Sequence, residues 1–522
     1  VILMVSWEIV HRATSFISEE MGVALRRSAL SPNIRERADH SCAIIDSHER
    51  IVAQAEHIPV HLGSLRVGMK NLLDYLEKEG IELNEGDMVF SNDPYLTGTH
   101  LNDVTVISGI YYNGKLIGYT ANKAHHVDIG GPVFGSINPQ ATTIYEEGEI
   151  VPPVKLVEKG KIREDILKMF LANVKSPLTN EGDLKAQIAA NLTGIKRVKE
   201  LIDKYGLEQT IDGWDNSIRY GRELALREIS NWPKGEFIAE DYLETGPENS
   251  DLISINVNVK ISEDNVTISY PRLTKQLRKP LNAVFGVTFA ASSFAIRSLM
   301  KGDVPTNEGL YSIINVMADE GSLLNATPPA PVSGGNLETS QRIVDVILLA
   351  LSKAMPDRIP AASSGTMMNV MLGGYDNNGK PWAYYETIGG GSGARPNGDG
   401  VSGVHTNMTN TMNTPIEITE STYPMFFTSY KIREGSGGDG KHKGGDGIVR
   451  SFKVLYNARL AVMSSRFLTN PYGLFNGKPG KPAKLTIKRK NGKIEDIKPL
   501  SVIELFADDE VIIETPGGGG YG

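Results

Sequence analysis

The sequence contains one cysteine, Cys42, in 522 residues. That excludes a disulfide framework and any CxxC zinc or iron–sulfur site. Long apolar runs are also missing. The longest candidate, around Val344–Leu351, falls well short of the roughly 18 residues of a membrane span, so no membrane partner is expected. Positive charge is not in excess. Lys and Arg number 54 against 62 Asp and Glu, a net charge of −8, so no nucleic-acid surface is expected. The segment Val1–Val5 is apolar, but no basic region precedes it and no small-residue cleavage site follows. No signal peptide and a cytoplasmic location are the expectation.

What is present reads as globular: 40% apolar and 22% charged residues. At about 150 residues per domain, the length suggests two to four domains. Glycine is abundant at 54 residues, above the usual ~7%, so tight turns or sites built from backbone are expected. Apolar spacing predicts helices over 7–29 (stripe Ile9, Ala13, Ile17, Met21, Ala24), 64–79, 183–205, 282–300 and 340–354. Strands are predicted over 41–46 and 250–270 and, with Gly-heavy turns, from about 420 onward. Asn113-Gly114 joins 103–112 to 115–125 as a hairpin with apolar residues on both faces, which implies burial in a larger sheet. Strands and helices mix without regular β-α-β alternation, so the fold class is α+β. The expected division is 1–245, 246–425 and a strand-rich 426–522.

Three segments begin like a phosphate loop, Gly109–Lys115, Gly374–Lys380 and Gly435–Lys441. None continues with Ser or Thr, and two contain Asn-Gly turns, which cannot present helix amides to a phosphate. The run from Gly389 to Arg395 could be a backbone anion nest served by Arg395, or a tight loop.

The histidines carry more. His100, Asp103, His125, His126 and Asp128 all fall at one mouth of the predicted hairpin. Imidazole and carboxylate together suit a divalent transition metal such as zinc or manganese. A regular two-residue turn puts Asp103 on the face of His126 and Asp128, whereas one β-bulge would switch its partner to His125. Upstream, Asp39 and His40 could supply a fourth ligand and a base, or a salt bridge with Arg35 or Arg37. Cys42, followed by Ala-Ile-Ile, reads as a buried small hydrophobe. No GxSxG elbow supports serine catalysis.

The runs NDPYLTGTHLNDVTV and HHVDIGG resemble the hydantoinase B/oxoprolinase family. So do SPNIRERADHS at 31–41, HIPVHLGSL at 57–65, DLKAQIAAN at 183–191, GNLETSQRI at 335–343, GSGGDGKHKGG at 435–445 and the terminal TPGGGGYG. One departure is the turn after the strand at 266–270, where Tyr270–Gln276 replaces an Asp-rich segment. The resemblance implies the B-type subunit of an ATP-dependent cyclic-amide hydrolase that opens hydantoin, 5-oxoproline or lactam rings. An actin-like, hydantoinase A-like ATPase partner would use the ATP and phosphorylate the substrate. One zinc or manganese would be held by Asp39, His100, Asp103 and His125, with a metal-bound water attacking the activated carbon. Asp39 or Asp128 would take the proton, and His126, His57 and Arg395 would support the site or touch substrate. The chain would form a homo-oligomer within a hetero-oligomer. The alternatives are a subunit of an acetone- or acetophenone-type carboxylase, or a non-catalytic structural subunit.

Overall fold

A computed structural model describes residues 6–55, 57–245 and 252–522. The expected boundary at 245/246 adjoins residues outside that set, and the apolar segment Val1–Val5 also lies outside it. The fold is α+β. The first sheet contains β1 (His40–Asp46), β2 (Ile51–Gln54), β3 (Met88–Ser91), β4 (Asp103–Tyr112), β5 (Lys115–His125), β6 (Val154–Glu158) and β7 (Lys161–Ile162). Their order is β2-β1-β5-β4-β3-β6-β7, and the Asn113-Gly114 hairpin forms the centre.

Alternation along these strands explains why both faces are apolar. Ala43, Ile45, Ile107 and Ala121 pack with Leu65, Met69 and Leu72 of the helix Pro59–Lys78. Cys42, Ile44, Ile110 and Ala124 pack on the other side with Val10, Met21 and Leu25 of the helix Trp7–Ser28 and with Ala186, Ala190 and Val198 of the helix Pro177–Tyr205. Cys42 is fully buried, and burial pushes its thiol well up. The first helix buries Val10, Ile17, Met21 and Leu25, while Ile9 is exposed. Its buried stripe therefore turns slightly from the one the spacing predicts.

The helix Pro177–Tyr205 carries a buried polar seam along the same face. Asp183 accepts the Leu30 and Ser31 amides at 2.8 and 3.0 Å. Gln187 donates to Val104 O at 2.8 Å and to Asn122 Oδ1 at 2.9 Å. Asn191 donates to Val106 O at 3.1 Å. The i, i+4, i+8 spacing of Asp183, Gln187 and Asn191 thus clamps the helix to the hairpin and to the segment before β1. A further helix, Leu207–Ser230, follows directly.

A second, four-stranded sheet (Gly235–Glu244, Leu252–Ile261, Val266–Ser269 and Ile314–Met317) shares a core with the helices Phe285–Ser298 and Ser340–Ser352. Towards the carboxyl end lie a four-stranded sheet, which includes Asn369–Tyr375 and Pro381–Thr387, and a five-stranded sheet, which includes Met425–Arg433 and Glu510–Glu514. Their shared core is built from residues such as Leu372, Phe452, Leu460 and Ile513.

Much of the glycine excess is spent where main chains touch. Amides at 517, 518, 519 and 520 donate in turn to Lys481, Gly445, Ala362 and Lys478 carbonyls. The partner strand returns to the same segment after three residues, so the tail turns with a threefold period. That is the period of the polyproline-II helix, not the twofold period of a strand. Every neighbour is within reach of backbone only: a Cβ on Gly518 would lie 2.0 Å from Ser392 O, and one on Gly391 would lie 1.9 Å from Gly445 O.

Candidate metal centre

The hairpin begins with the regular pairs Tyr112↔Lys115 and Tyr111↔Leu116, then jumps to Ile110↔Gly118. Ile117 is the extra residue of a β-bulge. Beyond it every pair is displaced by one, and Asp103 faces His125. His126 turns to the opposite face. There its Nε2 lies 2.9 Å from Gln187 Oε1, and Asn180 Nδ2 lies 3.1 Å from its Nδ1. It belongs to the polar seam.

Asp103 sits at the centre of an imidazole cluster. Its Oδ1 lies 3.0 Å from His100 Nε2 and 3.3 Å from His125 Nδ1. Its Oδ2 lies 3.2 Å from His61 Nε2. A turn delivers His100: Asp93 caps the short helix Pro94–Thr97, and Gly98, at φ 88°, reverses the chain. One ligand-capable atom from each of His100, Asp103 and His125 lies within 4.8 Å of the others. All three residues are buried. Burial alone would push the Asp103 carboxyl up, but His100 and His61, with hydrogen bonds from His100 and His125, hold it well below the usual carboxylate range. Burial lowers His125 against the opposing pull of Asp103 and Asp39.

His125 is held from two sides. Its amide donates to Asp39 O at 3.1 Å, and its ring stacks on Tyr385 at 4.5 Å between centroids. Arg37 lies over the Tyr385 ring, 4.7 Å from its centre, and its Nη2 approaches Asp39 Oδ2 at 3.7 Å. Asp39, His61, Asp103 and His125 line a small cavity of about 20 Å³, closed by Asn336, Tyr385 and three threonines, 387, 409 and 411. Asn336 comes from a five-residue π-helical turn, Gly335–Thr339, and its Oδ1 is buried without a partner. Such turns recur at functional sites.

Two buried imidazoles and a buried carboxylate converging on one another match what a divalent transition metal requires. His100 Nε2 and His125 Nδ1 both face Asp103 Oδ1, at 3.0 and 3.3 Å, so two imidazole nitrogens and one carboxylate stand close enough to share one ion. The donor set therefore fits a metal.

The remaining residues singled out in the sequence are placed elsewhere. Asp128 accepts the Gly130 and Lys175 amides at 3.0 and 2.9 Å and pairs with Lys175 Nζ at 3.4 Å. It does not line the cavity. His57 packs edge-on against His40 at 4.6 Å and pairs with Glu19 at 3.3 Å. Arg395 is exposed on the loop where its amide donates to Gly398 O, and the glycine run before it is filled by neighbouring main chain. None of the three phosphate-loop beginnings opens a helix. Two are hairpin turns and the third lies among the packed glycines. His61, Tyr385 and Asn336 were not singled out as site residues. His61 was hidden because the helix begins at Pro59 and not near residue 64, which puts His61 in its first turn, on the buried side with Ser64 and Leu65.

The Hydantoinase B/oxoprolinase family profile matches residues 4–522. An uncharacterised protein of Methanocaldococcus jannaschii is 46% identical over 99% of this chain and 90% of its own length. The 5-oxoprolinase of Dictyostelium discoideum is 36% identical over 98% of this chain, which spans 40% of that longer protein. The crystal structure of an ATP-dependent caprolactamase from Pseudomonas jessenii superposes with a TM-score of 0.90 at 28% identity, over 99% of this chain and 90% of that one. The chain that builds this histidine–aspartate centre belongs to the hydantoinase B/oxoprolinase family.

Proposed function

We propose that the chain is the metal-bearing part of an ATP-dependent hydrolase that opens a cyclic amide. The observation that carries the reading is the convergence of His100, Asp103 and His125 within 4.8 Å, beside a cavity that Asp103, His125 and Asp39 line. The similarity to a 5-oxoprolinase and to an ATP-dependent caprolactamase supports the substrate class.

In this reading His100 Nε2, Asp103 Oδ1 and His125 Nδ1 hold one zinc or manganese ion. Asp39 is a fourth, weaker ligand or the base. When bound, the metal supplies Lewis acidity for attack of water on an amide carbon already activated by phosphorylation. Asp39 accepts the proton released by that water. Arg37, 3.7 Å from its Oδ2, keeps it in the cavity wall. Tyr385 fixes the plane of His125, and His61 orients Asp103 from the far oxygen. Thr387, Thr409, Thr411 and Leu337 complete the cavity lining.

ATP use is assigned to a partner. The chain spans only 40% of the 5-oxoprolinase it matches, and its phosphate-loop beginnings do not lead into helices. A hydantoinase A-like ATPase fits the vacant role, with this chain as a homo-oligomer inside the joint assembly. The test is turnover of 5-oxoproline, hydantoin and caprolactam by the metal-loaded chain with and without such a partner. Ring opening that needs ATP, partner and metal together supports the reading. Full activity after complete metal removal, or consumption of acetone and bicarbonate in place of ring opening, contradicts it.

A further inference from the structure

A chamber of about 280 Å³ adjoins the metal cavity. Two stretches of chain serve both. His57, Pro59, Leu62 and Gly63 line the chamber while Ile58, Val60 and His61 line the metal cavity, and Asn410 lies between Thr409 and Thr411 in the same way. One wall of the chamber is the helix Phe285–Ser298, which brings Ser293 and Arg297 to it one turn apart. Ser293 is 3% exposed, and its Oγ has no hydrogen-bond partner. Arg297 Nε is also buried without a partner, and no carboxylate among the described residues pairs with this guanidinium. Arg297 is half-buried, whereas the fully buried Arg342, Arg466 and Arg450 leave their Nε atoms equally unpartnered but have acids beside them: Arg342 and Arg466 share Asp241 and Asp345, and Arg450 pairs with Glu386. The chamber also has an apolar lining, through Phe294 of the same helix and through Leu62 and Leu310.

A guanidinium without a carboxylate partner and an orphaned hydroxyl in a chamber with apolar lining are the complement of a small organic anion. Leaving the buried Ser293 hydroxyl unmatched is costly. Building on the proposed function, we infer that this chamber seats the carboxylate of an acid-bearing cyclic amide against Arg297 and Ser293, with the ring carbons on Leu62, Phe294 and Leu310. The site would then favour a charged lactam such as 5-oxoproline over a neutral one of the same ring size.

The test uses the full metal-loaded chain and three probes: L-5-oxoproline, 2-pyrrolidinone and inorganic phosphate, each followed by calorimetric titration. The wild type should bind 5-oxoproline at least about tenfold more tightly than 2-pyrrolidinone, a difference of about 1.4 kcal/mol. Arg297→Met should lose that advantage without changing metal content, and Arg297→Lys should recover part of it. Phosphate should not displace 5-oxoproline. Equal binding of the charged and neutral rings by the wild type overturns the inference. So does unchanged 5-oxoproline affinity in Arg297→Met, no binding of 5-oxoproline at all, or tighter binding of phosphate. His100→Ala separates the two readings. If it loses the metal but keeps Arg297-dependent binding, both stand. If the wild type holds no metal yet shows that binding, the chamber stands and the metal function falls.

Discussion

Replacing Gly518 with alanine tests whether the glycine tail locks the carboxyl-terminal half. The new Cβ would sit 2.0 Å from Ser392 O, 2.3 Å from Ser392 C and 2.7 Å from Gly393 N. All three are main-chain atoms, so no side chain can swing away. Overpacking of this kind costs about 1–3 kcal/mol. Displacing the tail also strains the bonds Gly518 N→Gly445 O at 2.9 Å and Gly438 N→Gly518 O at 2.8 Å, at about 1 kcal/mol each. The expected total is about 3–5 kcal/mol, a large share of ordinary stability. Gly379→Ala is the control. It sits in a hairpin turn at φ 74° with open space around its Cβ position, so it pays only backbone strain of about 1 kcal/mol. Thermal unfolding followed by circular dichroism, at one scan rate for all variants, should place Gly518→Ala clearly below the control. A Gly518→Ala midpoint equal to that of Gly379→Ala would refute the close-packing argument.

Two further outcomes follow from buried polar groups. Burial pushes the Glu338 carboxyl up to about 7, against hydrogen bonds from Ser465 and the Met367 amide. The unfolded carboxyl releases its proton near pH ~4.3, so Glu338 opposes folding progressively as pH rises between those values. Glu338→Gln should therefore gain about 1–3 kcal/mol of stability at pH 8 relative to its effect at pH 4, read as the shift in unfolding midpoint, and an equal effect at both pH values would contradict this. Gln187→Ala should cost about 2–4 kcal/mol by orphaning Val104 O and the His126 ring, yet leave metal content unchanged by elemental analysis. Metal loss without destabilisation would be inconsistent with the polar seam.

The hairpin was legible because Asn-Gly has one strong structural meaning, and its two apolar faces correctly implied a central position. The bulge was not legible. Ile117 has no local signal that distinguishes it from its neighbours, yet it decides whether Asp103 faces His125 or His126. The spacing alone favoured His126, and the family resemblance pointed to His125. The helix Leu207–Ser230 was obscured by Gly206, which ends one helix and at once begins the next. The DLKAQIAAN run looked like an ordinary apolar stripe until Asp183, Gln187 and Asn191 were found buried together. Tyr385 and Asn336 reach the cavity from segments more than 200 residues beyond His125, and no local pattern could have joined them to it. The glycine-rich runs were visible as composition, but their packing as touching main chains depends on five separate segments meeting.

The central claim is that the bulged register makes His125, and not His126, part of a metal centre. Its most direct test is the metal content of purified His125→Ala and His126→Ala, measured by mass spectrometry after circular dichroism shows both to be folded. The account predicts that His125→Ala loses the zinc or manganese and that His126→Ala keeps it at lowered stability. Retention by His125→Ala with loss by His126→Ala would contradict it.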